Sequence, residues 1–200
     1  MNPRVIFLPG AGADPEFWRP VGNRLPPGAG KLYLGWPGLG NQAPSDTVAG
    51  FADLVALVRG AIGDGPCDLV AQSMGGAIAL QVALDVPDKV RRIVLTGTSG
   101  GIDAAALGGA DWRPDYRRDY PDARLSLLAD WPDLGARLHQ IRQPVLLLWG
   151  GSDPISPLAV AARLATLLPD THTVVIPGGD HAFAVDRAAE AARAIEAFLA

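Results

Sequence analysis

Six short apolar runs, each followed by a turn rich in small residues and most then by a longer amphipathic stretch, constrain this chain more than any other feature. The runs are Val5-Leu8, Leu32-Leu34, Asp68-Ala71, Arg92-Thr96, Val145-Trp149 and Thr173-Ile176. Most are apolar on both faces, which is how strands buried inside a parallel sheet read. Between them lie helical patterns. Thr47-Arg59 places Val48, Phe51, Leu54, Val55 and Val58 on one helix face, and Met74-Val86 is apolar nearly all round. Leu158-Leu168 and Ala182-Leu199 are Ala-rich and amphipathic. In the last, Val185, Ala189, Ala192, Ile195 and Leu199 are expected to face inward, with Arg187, Glu190, Arg193 and Glu196 outside. Strands alternating with helices predict a parallel α/β sheet covered on both faces.

One stretch breaks the rhythm. Residues 99–143 contain no clear strand and are rich in Asp, Arg, Pro and aromatics. A bare connection of that length is uncommon in a compact domain. It reads as a small insertion over the sheet's carboxyl edge, partly helical near Leu125-Leu128 and Leu134-Leu138. The 200 residues suit one domain, 1–200, with lid 99–143. A net charge of −4 gives no general attraction to nucleic acid. No apolar stretch approaches membrane-spanning length, and no leader pattern precedes Val5, so a cytoplasmic chain is expected. The single cysteine, Cys67, opens a strand-like run and reads as a buried, inert thiol.

The segment from Asp68 through Ser73 to Gly76 passes from strand to helix through a sharp turn. A serine held there exposes its hydroxyl above the sheet, provided the residues two before and two after it are small. Ala71 and Gly75 satisfy this, and Gly76 lets the helix pack closely. The Met74 N–H would then point at a developing oxyanion. A plain helix N-cap serine is the alternative.

A serine hydroxyl needs a neighbouring base. Of His139, His172 and His181, only His181 follows a strand in a loop, after Gly178-Gly-Asp180, and so reaches the same edge as Ser73. The acid should follow another strand on that edge. Asp153, in Gly150-Gly-Ser-Asp153-Pro154, is so placed, with Asp180 as rival. After the first run, Pro9-Gly10-Ala11-Gly12-Ala13 is small enough for backbone to approach a bound carbonyl, and the Ala11 N–H is the second candidate donor. Neither a phosphate loop nor a dinucleotide fingerprint is complete, and no metal-ligand spacing occurs. No cofactor and no metal are therefore expected.

Five segments in order resemble the α/β-hydrolase family. Pro9-Gly10-Ala11-Gly12 with Phe17-Trp18 is similar to its oxyanion loop, and Trp36-Pro-Gly-Leu-Gly40 to a following turn. Ala71-Gln-Ser-Met-Gly-Gly76 resembles its nucleophile elbow, and the segments around Asp153 and His181 its acid and histidine loops. The resemblance implies a three-layer α/β-hydrolase fold with about six mostly parallel strands. It also implies that the family's first hairpin strands are absent and the lid is short. Pro9 stands where the family usually has His, and the family's usual Asp near Gly35 is missing.

The expected chemistry is cofactor-free hydrolysis of small or medium carboxylic esters by Ser73, His181 and Asp153, with Met74 and Ala11 holding the oxyanion. Within the lid, Trp112, Tyr116, Arg117 and Arg118 are the candidate substrate-binding residues. The two arginines would suit an anionic or acyl-carrier-linked ester, as taken by family members that demethylate carrier-protein esters. An acyltransferase, a C–C hydrolase or a lyase on the same three residues, or a non-catalytic binding protein, are the alternatives. Dehalogenase and epoxide hydrolase chemistry is disfavoured, because those members carry Asp at the position of Ser73.

Overall fold

The computed structural model describes residues 3–28, 30–129 and 131–200. Six strands form one sheet: β1 (Arg4–Leu8), β2 (Lys31–Tyr33), β3 (Cys67–Gln72), β4 (Val90–Thr96), β5 (Val145–Gly150) and β6 (Thr171–Ile176). Their order is β2-β1-β3-β4-β5-β6 and every pairing is parallel. All six apolar runs are therefore strands.

The period of two along each strand divides the core in two. Ile6, Leu8, Leu69, Ala71, Ile93, Leu95 and Leu147 face one side. They pack there with α2 (Phe51–Ile62), α3 (Met74–Asp85) and α5 (Leu158–Leu167). Val5, Phe7, Val70, Val94, Leu146 and Leu148 face the other. They meet α1 (Arg19–Gly22), α6 (Phe183–Asp186) and α7 (Ala188–Leu199). Three layers follow. Central β3 is buried along its whole length, whereas edge strand β6 exposes His172, Thr173 and Val175.

The C-terminal helical pattern differs from the expectation. It breaks at Arg187 (φ −114°, ψ 38°), between α6 and α7. The break shifts the helical phase, so Val185 and Ala189 are exposed and Ala184, Ala188, Ala191, Ala192 and Ile195 are buried.

The chain moves from β1 outward to β2, then returns to place β3 on the other flank of β1. The connections after β1 and β3 therefore diverge, leaving a crevice beyond their carboxyl ends. The segment expected to form a lid lies between β4 and β5. It contains α4 (Arg113–Asp119) and 3₁₀ turns at Ala105–Leu107, Leu125–Leu128 and Gly135–Gln140. The two expected helical pieces are thus 3₁₀, and α4 is an addition. Leu127, Leu134, Leu138 and Ile141 are buried in the same cluster as α2 and α3. Burying a side chain of this kind stabilises by about 1.5–3 kcal/mol, so the lid base is packed onto the sheet layers. Among the described residues, no helix is long and apolar enough to cross a membrane.

Candidate active site

Ser73 closes β3 and opens α3, with φ 51° and ψ −121°. Such a backbone costs a non-glycine residue about 1–3 kcal/mol and persists only where its surroundings enforce it. Here the Ser73 N–H donates to Thr96 O at 2.9 Å, and Gly76 N–H returns to Ser73 O at 2.9 Å. Close packing does the rest. A Cβ on Gly75 would stand 2.6 Å from Pro9 O, and one on Gly76 2.4 Å from Thr98 Oγ1. The Ser73 side chain makes no capping bond, so it is not acting as an ordinary N-cap. Among the described residues its Oγ has no hydrogen-bond partner. Serine–histidine contacts are commonly loose without substrate and tighten when it binds.

Asp153 and His181 arrive from the ends of β5 and β6. Their loops are zipped by Gly151 N–H to Ile176 O (2.9 Å) and Ser152 N–H to Gly179 O (2.8 Å). His181 Nδ1 lies 2.8 Å from Asp153 Oδ2. Asp153 Oδ1 accepts the N–H groups of Ile155 and Ser156, both at 2.9 Å. The carboxylate is fully buried and the imidazole about one-fifth exposed. Buried charge of this kind is tolerated because each oxygen is bonded. The rival acid, Asp180, is turned away: its Oδ1 accepts Ala182 N–H at 2.9 Å. His139 and His172 are exposed elsewhere.

Two positions that sequence reasoning did not single out hold this pair. Gln72 Nε2 donates to His181 O at 3.2 Å. Gly97, just beyond β4, has φ +48°, and a Cβ there would meet Asp153 Oδ2 at 2.8 Å and His181 Nδ1 at 3.2 Å. A glycine directly after a strand on the active edge is the only local signal for Gly97.

The loop after β1 faces Ser73 across the crevice. Trp18 Nε1 donates to Leu8 O (3.0 Å) and Trp36 Nε1 to Pro9 O (2.9 Å). These bonds satisfy buried carbonyls where the strand ends. Among the described residues, neither the Ala11 nor the Met74 N–H has a protein acceptor. Both residues line one cavity of about 400 Å³ with Ser73, together with Ile102, Trp112 and Trp131 of the lid. N–H groups without acceptors among the described residues, beside a half-buried serine that lines the cavity, are suited to receive a developing oxyanion.

The lid candidates divide. Trp112 lines the cavity. Tyr116 does not: it is buried, with its hydroxyl bonded to the loop backbone, and burial raises its pKa. Arg117 and Arg118 are exposed and outside the cavity lining, because the cavity-facing and buried side of α4 is taken by its aromatics. Arg118 pairs with Asp115 (2.6 Å) and Asp119 (3.0 Å). Arg113 is the cation that reaches the cavity, and Asp111 binds it at 3.1 Å. Asp111 is itself held below the usual carboxylate range, first by the Arg113 N–H. Cys67, the first residue of β3, is buried in the core on the side of α2 and α3, which pushes its thiol up to about 12. Among the described residues, no three His, Cys, Asp or Glu side chains converge as metal ligands would.

The family model for the alpha/beta hydrolase fold matches residues 3–130 and 127–188. The chain belongs to the α/β-hydrolase family. Over 90% of its length it is 29% identical to the pimeloyl-[acyl-carrier protein] methyl ester esterase of Aromatoleum aromaticum, covering 92% of that enzyme. It is 28% identical, over 99% of its length, to part of the polyketide synthase ThaQ of Burkholderia thailandensis, and spans only 12% of that protein. The esterase EaEST of Exiguobacterium antarcticum shares the fold, with a TM-score of 0.80 at 17% identity, covering 98% of this chain and 91% of that one. The protein is thus an α/β hydrolase with esterase relatives.

Proposed function

We propose that this protein is a serine esterase that cleaves small or medium neutral carboxylic esters through Ser73, His181 and Asp153. The observation that carries the reading is a serine held at positive φ beside two N–H groups without acceptors among the described residues, on the edge that also carries a buried Asp153 paired with His181. His181 takes the Ser73 proton as Oγ bonds to the ester carbonyl carbon. The carbonyl oxygen becomes an oxyanion facing the Ala11 and Met74 N–H groups. Asp153 keeps the proton on Nδ1, so Nε2 is the basic nitrogen, and stabilises the imidazolium. The tetrahedral intermediate collapses, the C–O bond to the alcohol breaks, and His181 returns the proton to the leaving oxygen. Water, deprotonated by His181, then releases the acid and restores Ser73.

A cavity of about 400 Å³ suits a modest acyl group, and its one arginine is already paired. An acyl-carrier-linked ester is the second reading, favoured by the Aromatoleum aromaticum relative. In that reading the outward arginines of α4 meet the carrier's acidic surface rather than the reacting group. Hydrolysis of matched neutral, anionic and carrier-linked methyl esters separates the two. Preference for neutral esters supports the first reading. A carrier-dependent gain that Arg117→Ala/Arg118→Ala abolishes supports the second. Turnover of none of them by wild type contradicts both.

A further inference from the structure

The residues Trp112, Tyr116 and Tyr120 recur every fourth position and so share one face of the α4 region. Their rings are in sequential contact, Trp112 edge-on to Tyr116 at 5.4 Å and Tyr116 tilted on Tyr120 at 4.9 Å. Trp112 borders the cavity. Four residues on, the Tyr116 hydroxyl donates to Ala11 O at 2.8 Å and accepts the Gly40 N–H at 2.9 Å. Both of its bonds are thus spent on backbone from two separate loops, and its ring is buried.

This completes a series. The carbonyls of Leu8, Pro9 and Ala11 are each held by an aromatic donor: Trp18, Trp36 and Tyr116. The first two belong to the hydrolase body, whereas the third comes from the lid. The Ala11 carbonyl has a lid hydroxyl as its anchor, and the N–H of the same residue is one of the two donors beside Ser73 without an acceptor among the described residues.

We propose that Tyr116 is a positioning residue that makes the lid helix part of the oxyanion hole, orienting Ala11 while Trp112 contacts the substrate. The inference rests on the serine-esterase reading. Binding geometry at the cavity is then linked to transition-state stabilisation, because the helix that touches the acyl group also sets the donor. A tetrahedral adduct tests this. Ser73 Oγ adds to the carbonyl carbon of an alkyl trifluoromethyl ketone, its proton passes to His181, and the ketone oxygen becomes the oxyanion without any leaving group.

Removing an oxyanion donor outright costs about 10²–10³ in kcat, so removing its support should cost less. Tyr116→Phe is expected to lower kcat about 10- to 100-fold and to weaken the trifluoromethyl ketone by a similar factor. The KM for a neutral ester and the inhibition by its carboxylate product should stay within about threefold, as for an interaction made only in the transition state. A merely loosened fold would move all four together, and that result overturns the role. Wild-type protein gives a check free of folding effects. Hydrogen exchange should slow in residues 113–120 as well as 9–13 when the ketone binds. Slowing in 9–13 alone overturns the coupling. An active Tyr116→Phe variant with unchanged kcat overturns this role and leaves the esterase reading standing. A wild-type protein inert to ester and ketone overturns both.

Discussion

Replacing Asp153 by Asn leaves the volume of the buried side chain unchanged and alters one thing, the direction of its hydrogen bonds. Oδ1 receives two backbone N–H groups at 2.9 Å, and Oδ2 faces His181 Nδ1 at 2.8 Å. The amide can keep its oxygen on the two N–H groups, in which case its NH₂ faces the ring. An NH₂ only donates, so the ring must accept at Nδ1 and carry its proton on Nε2. That tautomer has no lone pair with which to deprotonate Ser73. The flipped amide would restore the tautomer but set its NH₂ against two N–H donors. Stranding each donor costs about 1–3 kcal/mol, or about 2–6 kcal/mol together. The productive orientation is thereby limited to between about one molecule in 30 and one in 10⁴. A fall in kcat toward about 10⁴-fold, equivalent to about 5.5 kcal/mol, is therefore expected, with KM nearly constant and Tm little moved. Stopped ester hydrolysis and a thermal melt on the same preparation measure both. A variant within about tenfold of wild type, where flipping is so opposed, would refute the reasoning and assign the basic nitrogen to some other control.

Two further outcomes follow from the same geometry. Gly97→Ala places a methyl 2.8 Å from Asp153 Oδ2 at φ +48°, so a loss of about 1–3 kcal/mol in stability is expected. The displaced carboxylate should cost about 10²-fold in kcat at temperatures where the variant is fully folded, read from melts and initial rates. Cys67 should resist iodoacetamide up to pH 9 in the native protein and react once urea unfolds it. Its thiol is raised from 9.0 to about 12 in the fold. The unfolded chain therefore ionises first, and stability should fall as pH rises through that interval, measurable as a falling urea midpoint.

The strands were readable because each is a short, mostly apolar run, the central ones buried between two helical layers, and the run itself carries that information. The same logic over-reached at β6, where an edge position exposes Thr173 and Val175. The phase error in the last helix has another origin. No Gly or Pro marks the break at Arg187, so nothing local announces that α7 is rotated relative to α6. In the insertion, α4 begins at Arg113-Pro114 and is mostly charged, with Tyr116 its one aromatic between the flanking Trp112 and Tyr120, so no apolar period announces it as a helix. Ser73, Asp153 and His181 stand out because each lies in the turn or loop that follows a strand on one edge, a relation that the order of elements already expresses. Gly97, Gln72 and the double bonding of Tyr116 depend on partners distant in sequence. Their roles exist only once the β4, β5 and β6 loops and the lid have been brought together.

The most direct test of the central claim is the intact mass of wild type and Ser73→Ala after exposure to a fluorophosphonate probe. The probe phosphonylates a serine that a neighbouring base has activated, with loss of fluoride. One adduct on wild type and none on Ser73→Ala is the expected result. No adduct on wild type, with a smaller organophosphorus fluoride failing as well, would contradict an activated Ser73 and leave a protein that keeps the fold of a hydrolase without its nucleophile.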